Sequence, residues 1–155
     1  MKRLTHIDAD GEARMVDVSA KPMQLREAVA RGEIHLQKET LKLIETHSIA
    51  KGNVLATARV AGIQAAKKCG ELIPLCHPLP ITHCEVTFEI PKSRDRIVIT
   101  ASARIAAQTG VEMEALTAVG VAALTIYDMC KAVDKTMRIS NIKLVSKTKT
   151  NVRGR

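Results

Sequence analysis

The feature that most constrains this chain is a long apolar segment, Ala115 to Tyr127, in which nine of the 13 residues are Ala, Val, Leu or Ile and none is charged. The preceding Thr109-Gly110-Val111-Glu112 has the form of a capping box and predicts a helix that continues to about Lys135. A helix that is apolar on most sides must be enclosed by the rest of the protein. Since the segment is shorter than the roughly 20 residues that cross a membrane, and charges bound it, we expect no membrane span.

Nearly all polar groups of this helix fall on one narrow stripe, which consists of Glu114, Thr117, Thr125, Asp128, Lys131 and Lys135. Asp128 and Lys131 are three residues apart and therefore share a face. The stripe is either a solvated edge with an ordinary ion pair, or part of a desolvated pocket where a carboxylate and an ammonium exchange protons with a ligand. The pattern leaves both interpretations open.

Two segments with strand alternation, Ile81 to Ile90 and Ile97 to Ile105, flank a turn-like sequence and predict an antiparallel pair. A third such segment runs from Ile139 to Val145, whereas Leu25 to Leu36 fits either a helix or a strand. If Leu25 to Leu36 is a strand, the order of elements predicts an α+β domain with helices on one face of a sheet.

A short helix is expected at Leu41 to Ile44 and a longer one from Asn53 to Cys69. Asn53 suits the N-cap of the longer helix, and Gly70 suits its C-cap glycine. Just before this helix, Lys51-Gly52-Asn53 is either a phosphate site, made of free backbone N–H groups and a lysine, or an ordinary loop before an N-cap.

A chain of 155 residues with 46% hydrophobic content is long enough for one domain. We place an N-terminal arm at residues 1–22, the domain at 23–147 and a basic tail at 148–155. The arm through Asp17 and the tail beyond Lys147 are polar, so we expect both to be mobile without ligand. The abundance of alanine predicts closely packed helices and an oligomer.

The net charge of +8 points to an anionic partner, and the excess lies at the C-terminus. Lys131 to Arg155 contains eight basic residues and one acid, a net charge of +7. A basic nucleic-acid-binding module is therefore one hypothesis. Against it, Phe88 and Tyr127 are the only aromatic residues, whereas single-strand binders stack bases on several rings. An assembly protein without catalysis is a further hypothesis.

The four cysteines show neither C-x-x-C spacing nor a disulfide framework, and no apolar leader begins the sequence. We therefore expect a reduced, cytoplasmic protein. The pairs Cys76-His77 and His83-Cys84 suggest zinc, but adjacent residues of an extended chain point to opposite sides and no zinc spacing is present. We predict no metal site and no cofactor.

Six runs of sequence are long and specific: LTHID (4–8), MVDV (15–18), LATARVAGI (55–63), ELIPLCHPL (71–79), TGVEMEALTAV (109–119) and ALTIYDMCKAV (123–133). Together they resemble the MoaC family of molybdenum cofactor biosynthesis, and the resemblance covers nearly the whole chain. It implies a ferredoxin-like α+β fold in β-α-β-β-α-β order, which makes Leu25 to Leu36 the first strand. It also implies a homohexamer, a trimer of dimers, with active sites at dimer interfaces.

The reaction that this resemblance implies is that of a lyase acting on a GTP-derived triphosphate. It converts 3',8-cyclised dihydro-GTP, made by a radical S-adenosylmethionine GTP cyclase, into cyclic pyranopterin monophosphate with release of pyrophosphate. Such chemistry needs proton transfer together with cationic groups around the phosphates.

By the same resemblance, Asp128 matches the family's catalytic aspartate, and Lys51 and Lys131 match its essential lysines. The family's substrate-binding positions match Leu75, Cys76, His77, Met113, Glu114 and Lys147. We expect Lys51 to reach Asp128 and Lys131 from another subunit.

The chain departs from the family pattern at three places. Asn53 stands where Asp is usual, and Gln108 replaces a usual Lys. After Lys147, a Gly-Gly-Lys-Ser-Gly tail is replaced by TKTNVRGR (148–155). Closure of a glycine-rich tail over the phosphates therefore cannot be carried over to this chain.

Overall fold

The computed structural model describes residue 7 and residues 10–152 of the chain. Within this part the elements are β1 (Gln24–His35), α1 (Lys38–Glu45), α2 (Val54–Lys67), α3 (Cys69–Leu72), β2 (His83–Glu89), β3 (Arg96–Ala107), α4 (Glu112–Cys130) and β4 (Arg138–Asn151). The predicted order of strands and helices is confirmed, and the segment from Leu25 is a strand.

The four strands form one antiparallel sheet in the order β2-β3-β1-β4. β1 pairs with β3 from Gln24↔Ala107 to His35↔Arg96, and with β4 on its other side. This is the α+β, ferredoxin-like arrangement that was expected. Gly32 lets α4 approach the middle of β1, because a Cβ there would lie 2.7 Å from Val119 Cγ1.

The core lies between the sheet and α4, where alanine and small aliphatic side chains predominate. Nine residues of α4 are buried, and α2 packs along it. A Cβ on Gly62 of α2 would lie 2.9 Å from the carbonyl oxygen of Ala118, so this glycine allows close helix contact. The prediction of closely packed helices is thus confirmed. α4 is long and apolar enough to cross a membrane by length and composition, but here it is the core helix of the domain.

The ends of α4 differ from the predicted ones. Its N-cap is Val111, with no side-chain cap bond, so the predicted capping box starting at Thr109 is wrong. The Glu112 carboxylate accepts a hydrogen bond from Lys147 instead of closing such a box. The helix ends at Cys130 rather than near Lys135, because the backbone turns there and is held by contacts to α1.

The predicted start of α2 is confirmed, whereas its predicted end is wrong. The Asn53 side chain accepts a hydrogen bond from the backbone N–H of Ala56 at 3.0 Å, as an N-cap does. Lys68 is the C-cap, and Gly70 lies inside α3 without a left-handed backbone. A Cβ on Gly70 would lie 2.9 Å from Pro78 Cα, so this glycine serves close packing rather than helix termination.

β4 continues beyond the predicted strand end at Val145, through to Asn151. Thr148–Asn151 pair with Gln24–Glu27 of β1, so these tail residues belong to the sheet and the domain extends past Lys147. The rest of the tail, residues 153–155, and residues 1–6 and 8–9 of the arm lie outside the described residues. The mobility of the arm and the tail stays a prediction.

Candidate active site

A cluster of three charges lies at the C-terminal end of α4. Lys51 Nζ is 2.7 Å from Asp128 Oδ2 and also donates to the Asp128 carbonyl oxygen at 2.9 Å. Lys131 Nζ is 2.7 Å from Asp128 Oδ1. We call these three residues the ion triad. The expectation that Lys51 comes from another subunit is wrong for this contact, because the loop before α2 brings the same chain's Lys51 to Asp128.

The two ammonium groups control the ionisation of the carboxylate between them. Hydrogen bonds from Lys131 and then Lys51 lower the pKa of Asp128 to about 2. In return, Asp128 raises the pKa of Lys131. At neutral pH the Asp128 carboxyl group is therefore ionised and Lys131 is protonated. The side chains of the ion triad are 48 to 56% exposed, so in a single chain this end of the stripe is solvated.

The backbone around Lys51 explains how the loop reaches α4. Gly52 has a φ of 103°, a left-handed conformation that glycine adopts without strain. Asn53 then caps α2. In the described structure the Lys51 ammonium is directed to Asp128.

A cavity of about 380 Å³ lies at the opposite end of α4. It brings together five predicted substrate-binding residues: Leu75, Cys76, His77, Met113 and Glu114. Lys21, Thr109, Gly110 and Glu112 also line this cavity. We call it the main cavity. The loop before β2 and the start of α4 therefore face one space.

Glu114 and His77 give the main cavity two groups that can exchange protons. Glu114 is only 3% exposed, and burial raises the pKa of its carboxyl group. The His77 Nε2–H donates to the carbonyl oxygen of Val16 at 2.8 Å, which fixes the ring and ties the N-terminal arm to the cavity. Burial raises the pKa of the Cys76 thiol, with Glu114 adding to the effect, so this thiol is a poor nucleophile.

A second, cationic cavity of about 210 Å³ adjoins the main cavity at Gly110 and Glu112. Three basic residues, Arg26, Lys147 and Lys149, line it against two carboxylates, Glu27 and Glu112. The Lys147 ammonium is 3.0 Å from Glu112 Oε1. The Arg26 guanidinium donates to the carbonyl oxygens of Ala107 and Gln108 at 3.2 and 3.1 Å and to the Gln24 side-chain oxygen at 3.1 Å. These bonds fix its position, and within the described part of the chain no carboxylate forms an ion pair with it.

Sequence reasoning identified Lys147 but missed Arg26 and Lys149. In the sequence Arg26 resembles any charged residue of a strand. Only the pairing of β1 with β4 places it in one cavity with Lys149. Lys149 lies opposite Arg26 in the β1–β4 pair, within the tail that departs from the family pattern. That departure and the basic excess of Lys131 to Arg155 were the signals in the sequence that pointed to this region.

The predicted site residues therefore form two clusters in one chain, the ion triad and the main cavity, with Lys147 in the cationic cavity that adjoins the latter. Glu114 and Asp128 are 14 residues apart on α4, which corresponds to about 21 Å at a rise of 1.5 Å per residue. Glu114 and Asp128 both lie on α4, as the polar stripe predicts, but they do not line one pocket. Among the described residues, no group of three or more His, Cys, Asp or Glu is arranged to hold a metal ion.

Comparison with known proteins gives consistent matches. Residues 15–150 match the model of the MoaC family. The chain is 56% identical over 148 residues to a protein of Roseiflexus castenholzii, covering 96% of this chain and 94% of that protein. It is 60% identical over 144 residues to one of Chloroflexus aurantiacus (93% and 88%) and 59% identical over 145 residues to one of Desulfitobacterium hafniense (94% and 88%). Each relative is named cyclic pyranopterin monophosphate synthase.

Proposed function

The chain belongs to the MoaC family, and on that premise we propose that it is a cyclic pyranopterin monophosphate synthase in molybdenum cofactor biosynthesis. The substrate is 3',8-cyclised dihydro-GTP, and the products are cyclic pyranopterin monophosphate and pyrophosphate. The observation that carries the proposal is the 56 to 60% identity to synthases over nearly the entire chain. The same matches favour this enzyme over a basic nucleic-acid-binding module.

One turnover assay tests the reaction. The purified protein is mixed with enzymatically prepared cyclised GTP, and both the pterin product and pyrophosphate are quantified. We expect equal amounts of the two products. Release of neither product by a folded protein would contradict the proposed function.

Two clusters of groups suit two parts of this reaction. The ion triad offers an anion-attracting pair of ammonium groups and a carboxylate, which we assign to catalysis: Asp128, Lys131 and Lys51. The main cavity has the mixed polar and apolar wall that a purine-derived ring requires, so Leu75, Cys76, His77, Met113 and Glu114 bind the substrate. The cationic cavity, with Lys147, binds its phosphates.

The separation of about 21 Å between Glu114 and Asp128 is too large for one small substrate to bridge within a chain. We therefore propose that the ion triad of one chain faces the main cavity of a second chain. The apolar residues Leu124 and Val60, 59 and 58% exposed on α4 and α2, support burial of surface between copies. A homohexamer, arranged as a trimer of dimers, satisfies this requirement for every site.

The proposed partners follow from the substrate. A radical S-adenosylmethionine GTP cyclase supplies the cyclised GTP, and both proteins then act in the cytoplasm. No nucleic acid or membrane takes part in the proposed reaction.

Substitutions in the cationic cavity test the assignment of the phosphate site. We expect Lys147→Ala and Lys149→Ala each to raise KM for cyclised GTP about tenfold or more, because a hydrogen bond to a charged group contributes about 1.5–3 kcal/mol. Lys149→Arg keeps the charge and should stay close to wild type. Steady-state kinetics measure these changes. Unchanged KM values for both alanine variants would contradict the assignment of the phosphate site to this cavity.

A further inference from the structure

Asp134, in the turn after α4, is a buried carboxylate outside both clusters. The residue is 1% exposed. Its Oδ2 accepts hydrogen bonds from the backbone N–H of Gln37 at 2.9 Å and the hydroxyl of Thr40 at 3.1 Å. Its Oδ1 accepts from the backbone N–H and the hydroxyl of Thr136 at 2.9 and 2.7 Å. Although burial opposes ionisation, these four hydrogen bonds lower the pKa of Asp134.

The two oxygens of Asp134 hold two different segments of the chain. Oδ1 holds the turn that leads from α4 to β4. Oδ2 holds the start of α1, whose N-cap residue Gln37 makes no side-chain cap bond of its own. A carboxylate at this place satisfies a free N–H group and interacts favourably with the positive end of the helix. Asp134 thus caps α1 from a distant part of the sequence.

The turn carries one lysine of the ion triad, and α1 leads into the loop that carries the other. Lys131 lies in the turn, three residues before Asp134. Lys51 lies in the loop that follows α1. Both lysine side chains are about half exposed, at 48 and 56%, so packing of the side chains themselves does not fix them. Their relative position depends on how the two backbone segments are held together.

We infer that Asp134 is a positioning residue, which holds the segments of Lys51 and Lys131 so that both ammonium groups stay on either side of Asp128. Lys51 makes two bonds to Asp128, one to the carboxylate and one to the backbone carbonyl oxygen, and this double contact tolerates little displacement. A shift of about 1 Å in such an arrangement can cost on the order of 100-fold in rate. The kinetic consequence of this inference rests on the proposed function, whereas the geometric consequence does not.

Asp134→Asn tests the inference, because the amide keeps the shape but replaces one acceptor oxygen with a donor. One of the two segments then loses its acceptor. We expect kcat for cyclised GTP to fall about ten- to 100-fold, with KM within about threefold of wild type because the main cavity lies at the other end of α4. Thr40→Val, which removes one of the four bonds, should give a smaller change in the same direction.

A second readout does not depend on catalysis. The ¹³C signal of the Asp128 carboxyl group reports its ionisation directly. In the wild type we expect Asp128 to remain mostly ionised at about pH 3, since its pKa is about 2. In Asp134→Asn the ammonium groups move away, and the Asp128 pKa should rise toward its ordinary value near 3.8.

Ile99→Val serves as the matched control, because Ile99 is fully buried in β3 and its truncation destabilises the fold without touching Asp134. This variant should leave the Asp128 titration and kcat unchanged. An Asp128 titration in Asp134→Asn that matches the wild type would overturn the inference, whatever happens to the rate. If the wild type fails to convert cyclised GTP, the proposed function fails, while the titration still decides the role of Asp134.

Discussion

Asp128→Asn and Lys131→Arg are each expected to lower turnover of cyclised GTP about 100-fold or more, with folding and assembly intact. Both side chains are about half exposed, so neither change creates a cavity in the core. Asp128→Asn removes the charge that holds both lysines. Lys131→Arg keeps the positive charge, but a guanidinium stays protonated and cannot transfer a proton.

The pKa values of the ion triad define the pH dependence of this effect. Asp128, with a pKa of about 2, remains ionised throughout the range in which the enzyme is assayed. Its ionisation therefore cannot produce a fall in rate at mildly acidic pH. Lys131 is protonated in the free protein, since Asp128 raises its pKa. If Lys131 takes part in the proposed reaction, it therefore enters as a proton donor or as a cation, and it becomes a base only after releasing that proton.

Lys135→Arg is the control for these two variants, because Lys135 is an exposed lysine four residues after Lys131 that forms no ion pair with Asp128 in the described part of the chain. It should keep wild-type turnover. Wild-type turnover by all three variants, Asp128→Asn, Lys131→Arg and Lys135→Arg, would mean that the ion triad is a solvated edge and not part of the active site.

Glu114→Gln is expected to lose turnover on the order of 100-fold while gaining stability at neutral pH. Burial raises the pKa of Glu114, so the folded protein binds this proton more tightly than the unfolded chain. The stability of the wild type therefore falls as the pH rises through the unfolded pKa near 4.5 and up to the raised folded value. Glutamine removes this titration and the cost of burying a charge.

Urea unfolding at several pH values, together with kinetics, measures both effects of Glu114→Gln. At pH values above the folded pKa of Glu114, the free energy of unfolding of the variant should exceed that of the wild type. Below the unfolded pKa near 4.5, the two values should be closer. A variant that is both fully active and no more stable at neutral pH would show that the Glu114 carboxyl group neither transfers a proton nor carries an unfavourable charge in the main cavity.

Local sequence patterns predicted the fold well because they depend on neighbouring residues. The alternation of Ile97 to Ile105 and the cap at Asn53 require only short-range geometry, and both are present. The capping box at Thr109 failed because the Glu112 carboxylate has a tertiary partner, Lys147 on β4, that no local pattern contains. The predicted end of β4 at Val145 was wrong for the same reason, since pairing with β1 stabilises the polar residues that continue the strand.

The candidate site was predicted residue by residue, but its geometry was not. The polar stripe of α4 correctly placed Glu114 and Asp128 on one helix. A stripe is defined by angles around the helix axis, however, and gives no distance along that axis. The contact of Lys51 with Asp128 in the same chain depends on the path of the loop after α1, which the sequence does not reveal. Asp134 was unremarked for a similar reason: its partners Gln37 and Thr40 are more than 90 positions away.

If each active site joins the ion triad of one chain to the main cavity of another, mixed oligomers recover turnover that neither variant has alone. Lys131→Arg and Glu114→Gln, each inactive alone, are co-expressed with different tags so that mixed oligomers can be isolated and turnover measured. Random pairing of two such chains leaves about a quarter of the sites with both clusters intact. The matched control pairs Lys131→Arg with Asp128→Asn, which lie in the same cluster.

We predict recovery to about a quarter of wild-type turnover for Lys131→Arg with Glu114→Gln, and no recovery for Lys131→Arg with Asp128→Asn. Mixed oligomers of the first pair that stay as inactive as either variant alone would contradict a site shared between chains.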